Sequence, residues 1–208
     1  MHSFSTDQGN RHRRYILIGA ASALIYLGAI RLFGPIVGVT IGVISTILYI
    51  GFTRFLWKWG WLHRHGIINI PNINGNWEGY IYTSESEENI DDEAIVTEGE
   101  QRENKVKIET SITIEQTWDK ILITLGGAES SSHSRSATIL VKEKAWPTLS
   151  YNYFNEGGTS DDDVKPHYGS AMLEYDPEED KLEGRYFNRP DHRGTHGIME
   201  LWRTNNTE

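Results

Sequence analysis

The chain has 208 residues, a formal net charge of −9 and no cysteine. The lack of cysteine excludes disulfides and thiolate metal sites, and it suits a reducing compartment. Residues 1–65 carry seven basic residues and one acidic residue, whereas residues 66–208 carry 13 basic and 28 acidic residues. We therefore expect two parts, a basic segment 1–65 and an acidic soluble domain 66–208 that is long enough to bury one core.

Two apolar runs, residues 15–30 and 36–52, follow each other with only residues 31–35 between them. Neither run shows a polar stripe at helical period, which a buried helical hairpin of a soluble domain, the alternative, would have. The runs predict a transmembrane hairpin with spans at about residues 15–32 and 36–56.

Basic residues flank this hairpin, and the turn between the runs holds only Arg31. By the positive-inside rule, both termini and the acidic domain are expected on the cytoplasmic side of the membrane. Tryptophans among cations after the second run predict an interfacial collar. The flanking cations are Arg11, Arg13, Arg14, Arg54, Lys58 and Arg64, and the collar tryptophans are Trp57, Trp59 and Trp61.

Three glycines, Gly34, Gly38 and Gly42, recur at a spacing of four around the second apolar run. On one helix this spacing would create a face that another backbone can approach closely, so we predict that these residues mediate oligomerisation. Ordinary membrane-helix composition is the alternative. Packing within the hairpin and packing between chains both remain open.

Beyond the hairpin, the dominant pattern is an alternation of apolar and polar residues. It is longest at residues 106–118, and it recurs at 77–83, 120–125, 137–142, 149–155, 168–175, 182–188 and 197–203. These eight predicted strands, with no convincing helix, indicate an all-β domain. We predict an eight-stranded antiparallel up-and-down barrel of lipocalin-like type, with a sandwich as the alternative. Residues 84–104, 130–134 and 160–163 are predicted loops.

Trp77 in the first strand and Arg203 in the last resemble the lipocalin-like pattern, in which a tryptophan at the barrel base meets a C-terminal arginine. That resemblance implies structural roles for both residues, with a cation–π contact sealing one end of the barrel.

The sequence contains no phosphate loop, Gly-x-Ser-x-Gly elbow, His-Glu-x-x-His motif or cysteine nucleophile, so we expect a protein that is not an enzyme. His192 and His196 fall in a predicted turn after Pro190 and are interpreted as solvated rather than as metal ligands. No metal or other cofactor is expected.

The alternation predicts a barrel interior with many polar aromatic side chains. If Leu149 and Leu182 point inward, several polar residues do too: Thr110, Gln116, Trp118, Tyr151, Tyr153, Tyr186 and Asn188. Such a lining can stack on and hydrogen-bond to a nucleobase, although single tyrosines often only pack with their hydroxyl at a rim. We predict that these residues bind a ligand.

Four of the six arginines after residue 66 fall within 19 residues, namely Arg185, Arg189, Arg193 and Arg203. Of these, Arg185 and Arg193 are predicted to contact ligand phosphates. Pairing with nearby carboxylates, such as Asp191, is an equally open interpretation.

The combination of features resembles a known family. Two short spans precede a strand-rich domain that opens with Gly75-Asn-Trp-Glu-Gly79 and later contains Gly169-Ser-Ala-Met-Leu173, Leu182-Glu-Gly-Arg-Tyr-Phe-Asn188 and Gly197-Ile-Met-Glu-Leu201. The chain is similar to the two-transmembrane, β-strand-rich effectors of bacterial cyclic-oligonucleotide-based anti-phage signalling systems (CBASS).

This resemblance implies a receptor. A partner nucleotidyltransferase makes a cyclic di- or oligonucleotide, the cytoplasmic barrel binds it, the protein becomes a homo-oligomer, and the hairpins disrupt the inner membrane and kill the infected cell. No DNA or RNA partner is expected. Two alternatives remain open, a membrane-tethered lipocalin-like binder of an apolar molecule and a holin-like toxin with a regulatory barrel.

Overall fold

The structure is a computed structural model that describes residues 1–7, 11–34, 40–84, 95–96, 105–126, 131–142, 146–158, 165–189 and 195–204. The chain divides into two compact units. The helical unit comprises Gln8–Pro71 and Thr117–Asp119, and the strand unit comprises Met1–Asp7, Asn72–Gln116 and Lys120–Glu208.

The helical unit contains α1 (Arg11–Phe33), α2 (Ile41–Arg54), a 3-10 turn (Leu56–Lys58) and α3 (Gly60–Arg64). Gly34 ends α1 with a left-handed φ of 74°, a conformation that glycine adopts without strain, and its N–H donates to the Ile30 carbonyl at 2.9 Å. Thr40 caps α2, and its side chain accepts a hydrogen bond from Val43 N.

The helices are apolar and exposed. Two segments, Arg11–Phe33 and Ile41–Lys58, are long and apolar enough to cross a membrane, and only 6% and 11% of their most apolar windows are buried. A core helix of a soluble protein would be mostly buried, so this exposure favours membrane association. The prediction of two apolar N-terminal helices is confirmed.

Residues 117–119 complete the helical unit. The Trp118 ring packs edge-on against Phe52, with ring centres 5.2 Å apart, and its backbone N–H donates to the Thr53 carbonyl at 3.0 Å. Trp57 is fully buried, 6.3 Å from the Trp118 ring, whereas Trp59 and Trp61 are exposed. Of the three predicted collar tryptophans, Trp59 and Trp61 are therefore exposed, and Trp57 is not.

The strand unit is a closed β-barrel. Eight strands follow each other around it in chain order, every neighbouring pair is antiparallel, and the last strand pairs with the first. The predicted eight-stranded up-and-down barrel is confirmed, and the closure excludes a sandwich. The eight strands are β3 (Gly75–Thr83), β5 (Lys105–Gln116), β6 (Lys120–Gly126), β7 (Ser131–Leu140), β8 (Thr148–Asn155), β9 (His167–Asp176), β10 (Lys181–Asn188) and β11 (His196–Arg203).

Three two-residue strands add to this barrel. β1 (His2–Ser3) pairs with β6, β2 (Ser5–Thr6) pairs in parallel with β7, and β4 (Ile95–Val96) pairs with β5. The first two had no counterpart in the sequence analysis, because two-residue strands are too short to show an alternation. The prediction of a loop over residues 84–104 is wrong at residues 95–96, which form β4. The rest of the predicted acidic loops, residues 85–94, 97–104 and 160–163, lies outside the described residues.

Most strand boundaries differ from the predictions by one or two residues, and two of the differences bear on the interior. β5 ends at Gln116, so the alternation does not extend to Trp118. β7 begins at Ser131, so the prediction of a flexible turn is wrong for residues 131–134. Serine has a low strand propensity, which hid this segment. Here the buried Ser134 hydroxyl accepts a hydrogen bond from Ile123 N at 2.9 Å, which stabilises the extended conformation.

One end of the barrel is closed by Trp77 and Arg203. The Arg203 guanidinium lies 4.5 Å from the centre of the Trp77 ring, and it donates to the carbonyls of Asn74 (2.6 Å) and Asn72 (2.8 Å). The Trp77 indole is fully buried and donates to the Ile73 carbonyl at 3.0 Å. This end is therefore a packed, hydrogen-bonded floor.

We expect Trp77→Ala to destabilise the barrel by about 3–5 kcal/mol, because it leaves a cavity in this floor. Trp202 is the matched control, because it directly precedes Arg203 in the chain but is 38% exposed on the outer face. Thermal unfolding should show a large fall in Tm for Trp77→Ala and a small one for Trp202→Ala. Equal changes in Tm would contradict the role of the floor.

Candidate ligand-binding site

Three tyrosines, Tyr151, Tyr153 and Tyr186, lie on inward faces of the barrel and are 5%, 8% and 5% exposed. Tyr151 and Tyr153 share the inward side of β8 with Leu149, and Tyr186 shares that of β10 with Leu182. The rings of Tyr151 and Tyr153 have centres 5.9 Å apart and planes tilted by 47°. The structure thus brings together three aromatic residues that the alternation predicted to face inward.

The hydroxyls of Tyr153 and Tyr186 hydrogen-bond to polar side chains. Tyr153 donates to the Asn188 Oδ1 at 2.7 Å, and Asn188 Nδ2 donates to the Thr195 Oγ1 at 2.6 Å. Tyr186 is hydrogen-bonded to the side chain of Thr83, which is itself buried. We call Tyr151, Tyr153, Tyr186, Asn188 and Thr83 the tyrosine cluster. It offers three aromatic surfaces beside hydroxyl and amide groups.

Glycines on adjacent strands make room for two of these rings. A Cβ at Gly169, which lies opposite Tyr153, would be 2.3 Å from the Tyr153 Cζ. A Cβ at Gly197, opposite Tyr186, would be 2.7 Å from the Tyr186 Cε1. Since no side chain could occupy this space beside the rings, the two glycines allow the rings to lie flat across the neighbouring strand.

Burial raises the pKa of Tyr151, Tyr153 and Tyr186 above the ordinary phenol value, because the charged phenolate would lose its hydration. For Tyr153, the nearby Tyr151 and Tyr186 add to the increase in pKa. All three phenols are therefore neutral at physiological pH, so each can both donate and accept a hydrogen bond.

The other predicted ligand residues are placed differently. Thr110 is half-buried on the inward side of β5. Gln116 is buried, but its side chain accepts from Ile73 N at 2.9 Å, which anchors the chain entering the floor. Trp118 lies in the helical unit and not in the barrel lining. Arg193 lies outside the described residues.

Arg185 is separated from the tyrosine cluster because it alternates with Tyr186. It lies on the outer face of β10 and lines a surface hollow of about 700 Å³. Carboxylates dominate the charge of this hollow, since Glu174, Asp176, Glu179 and Glu183 stand against Lys181 and Arg185. The net negative charge of the hollow repels a phosphodiester, so the outer hollow is less favourable for an anionic nucleotide than the tyrosine cluster.

The predicted oligomerisation glycines do not all lie on one helix. Gly34 ends α1, Gly42 lies in the first turn of α2, and Gly38 lies outside the described residues. A Cβ at Gly42 would meet only the Thr40 Oγ1, at 3.6 Å, so the helix surface there is open. The oligomerisation role of these residues stays a prediction.

The sequence analysis missed several buried polar residues of the barrel. Ser132, Ser134, Asn155 and His167 are all less than a tenth exposed. The His167 ring nitrogen Nδ1 lies 2.8 Å from the Lys165 carbonyl. Asn155 already falls on the inward alternation of Leu149, Tyr151 and Tyr153. In β7, a bulge between Ser134 and Ser136 shifts the alternation, so extending it back from Ala137 and Ile139 would have placed Ser132 and Ser134 on the outer face. Among the described residues, no three His, Cys, Asp or Glu side chains are placed to hold a metal.

A closed barrel with aromatic and polar side chains turned inward belongs to a class of fold that can hold a small ligand, and the two apolar helices of this chain suggest membrane association. The comparisons with known proteins identify the family. The protein-family model described as "Cap15, cyclic dinucleotide receptor domain" matches residues 68–203 of this chain. CD-NTase-associated protein 15 from Yersinia aleksiciae is 30% identical over 165 residues, which cover 79% of this chain and 70% of that protein.

The chain therefore belongs to the Cap15 cyclic dinucleotide receptor family of CBASS effectors. The family predicted from the sequence is confirmed.

The raised pKa values predict how stability depends on pH. The unfolded chain releases phenol protons near pH 10, whereas the folded barrel retains those of the cluster. Stability is thus fully present below pH 10 and falls above it, by about 1.4 kcal/mol per pH unit for each phenol. In Tyr151→Phe, the free energy of unfolding should fall less steeply with pH, by the contribution of one phenol. Chemical unfolding between pH 9 and 12 measures this slope. An unchanged slope would show that the Tyr151 phenol ionises in the folded barrel.

Proposed function

We propose that the barrel binds a cyclic di- or oligonucleotide at the tyrosine cluster, and that the protein is a receptor without catalytic activity. The observation that carries this proposal is the cluster itself, three buried phenols with an amide and a hydroxyl on the inward side of a barrel whose family is that of cyclic dinucleotide receptors. The residues that we assign to the ligand are Tyr151, Tyr153, Tyr186 and Asn188.

The chemistry of the cluster suits a nucleobase. Aromatic faces stack on bases, and the phenol and amide groups can hydrogen-bond to base edges. The polar lining also disfavours an apolar ligand, which would break the Tyr153–Asn188 hydrogen bond or leave it buried without compensating contacts. We keep Arg193 as a proposed phosphate contact.

We further propose that the chain lies in the bacterial inner membrane with both termini and the barrel in the cytoplasm. A nucleotidyltransferase is the proposed source of the ligand, whose binding drives oligomerisation of the hairpins and disruption of the membrane. Two observations support this part, the apolar exposed surfaces of α1 and α2 and the basic residues on both flanks of the hairpin.

Binding can be tested by calorimetry on the full chain in detergent, with cyclic di-AMP, cyclic di-GMP, cyclic di-UMP and cyclic UMP–AMP. We expect at least one to bind, and we expect Tyr151→Ala and Tyr186→Ala to weaken that affinity about five- to a hundredfold, since one base stack is worth about 1–3 kcal/mol.

Arg185→Ala is the matched control, because Arg185 lies on the same strand as Tyr186 but faces the outer hollow. Its affinity should stay within about twofold of the unmodified chain, a change below about 0.4 kcal/mol. If Arg185→Ala weakens binding and the tyrosine variants do not, the ligand lies in the outer hollow and the proposed site is wrong.

Hairpin association can be tested by enlarging a glycine. Gly42→Leu should block close backbone contact between helices. It should therefore strongly reduce dye release from liposomes after addition of a cyclic dinucleotide that binds in the calorimetry. Gly51→Leu is the control, because nine residues at 100° each place Gly51 on the opposite face of α2, where a Cβ would meet nothing within 4 Å.

Gly51→Leu should release dye normally, and both variants should keep their affinity for the nucleotide. Normal dye release by Gly42→Leu and by Gly38→Leu would exclude the glycines as an association surface.

A further inference from the structure

The wall of the barrel has one weakly paired seam. Among the described residues, β6 and β7 pair directly along Thr124–Gly126 and Ser131–His133 alone, whereas each of the other seven strand interfaces has six to nine residue pairs in register. Below those three pairs, residues 1–7 lie between the strands. β1 pairs with Lys120 and Ile121 of β6, and β2 pairs with Thr138 and Ile139 of β7. We call residues 1–7 the strap.

The strap contributes side chains to the barrel interior. His2 is in register with Ile121, and Thr6 with Ile139, and both of these partners are buried on inward faces. Paired residues point to the same side of a sheet, so His2, Phe4 and Thr6 face inward. Phe4 is only 4% exposed.

The strap also borders the tyrosine cluster. The His2 Nε2 lies 2.8 Å from the Ser134 hydroxyl, and Ser134 is the register partner of Tyr153 on the next strand. One inward-facing residue thus separates the strap from a proposed ligand residue. A molecule that occupies the cluster would reach Ser134 and compete with His2 for its hydroxyl.

The strap has few residues in register with its neighbours. Two residues are paired on each side, and Ser5 and Thr138 share an exposed hydroxyl contact (2.6 Å), in addition to the His2–Ser134 contact, the buried Phe4 side chain and an anchor at Asp7. The Asp7 carboxylate accepts from the backbone N–H groups of Val141 (2.9 Å) and Lys142 (2.8 Å). Elements with so few backbone hydrogen bonds are the first to open in a folded protein.

An eight-stranded barrel has an interior just wide enough for its side chains or one small ligand. A cyclic dinucleotide carries two bases, so it competes for this interior with the inward side chains, among them Phe4 of the strap. Because the strap has two residues paired in register on each side, its removal breaks fewer backbone hydrogen bonds than removal of any of the eight barrel strands. The strap is also continuous with α1, which begins at Arg11.

We propose that the strap is a releasable ninth strand of the barrel, and that a cyclic dinucleotide bound at the tyrosine cluster displaces it from the β6–β7 seam. This inference rests on the proposed function. In this proposal, residues 1–7 couple ligand binding in the barrel to the segment of chain that leads into the first apolar helix.

A disulfide that locks the strap tests this proposal. Ser5→Cys with Thr138→Cys joins the strap to β7 on the outer face, and the natural chain has no cysteine that could interfere. If the nucleotide must displace the strap, the oxidised full chain should bind the four cyclic dinucleotides named above at least tenfold more weakly, and reduction should restore the affinity. Asn152→Cys with Ser170→Cys, another outer-face pair in hydrogen-bond contact (2.6 Å), is the control and should bind normally when oxidised.

A variant that loosens the strap should have the opposite effect. Asp7→Asn removes the charge from the anchor, so it should bind about two- to fivefold more tightly, because less of the binding free energy is needed for release. A strap with only a structural role would leave this affinity unchanged or lower it.

Equal affinities of the oxidised lock and the unmodified chain would overturn the release of the strap and leave the proposed function intact. If the unmodified chain bound none of the four nucleotides, the proposed function would fail, and the release with it.

Discussion

The structure depends on closure of an antiparallel sheet, which turns every second residue of eight strands into one shared interior. Closure pairs each strand with a neighbour on both sides, and the alternation along each strand then determines which side chains enter the interior. Once Leu149 and Leu182 are buried, Tyr151, Tyr153 and Tyr186 must be inside as well. A one-residue shift would place the leucines in solvent, so the same hydrophobic burial that stabilises the barrel also places the candidate site.

The polar interior is compatible with a stable fold because its groups pair with each other. Tyr153 and Asn188 share a hydrogen bond, Thr83 pairs with Tyr186, and Ser134 accepts from Ile123 N. Buried polar groups without partners would cost about 1–3 kcal/mol each. Under the proposed function, a ligand that enters would have to replace these hydrogen bonds with its own, so a molecule without matching donors and acceptors would be rejected. The network that stabilises the barrel would then also provide selectivity.

Much of the fold could be predicted from the sequence, because a half-buried strand has a regular alternation. All eight barrel strands follow from this alternation, and the two apolar helices follow from long apolar runs without a polar stripe. The start of β7 could not be predicted, because Ser132 and Ser134 become extended only through partners on other strands. The same holds for β1 and β2, whose two residues each are stabilised by contacts far along the chain.

For the site, the alternation was sufficient for side chains within a strand and failed where a strand ended. It placed the tyrosines and Asn188 together, but it was extended past Gln116 to Trp118, which packs with Phe52 and Trp57 instead. Arg185 was grouped with Tyr186 by proximity in sequence, yet adjacent strand residues face opposite sides. Gly34 shared a spacing with Gly42, but a spacing has meaning only within one helix, and Gly34 lies past the end of α1.

The most direct measurement is a crystal structure of the full chain with a bound cyclic dinucleotide. It should show at least one base within about 4 Å of the rings of Tyr151, Tyr153 or Tyr186, inside the barrel, at ordinary van der Waals contact. A nucleotide bound in the outer hollow beside Arg185, with the tyrosine cluster unchanged, would contradict the central claim that the barrel interior is the receptor site.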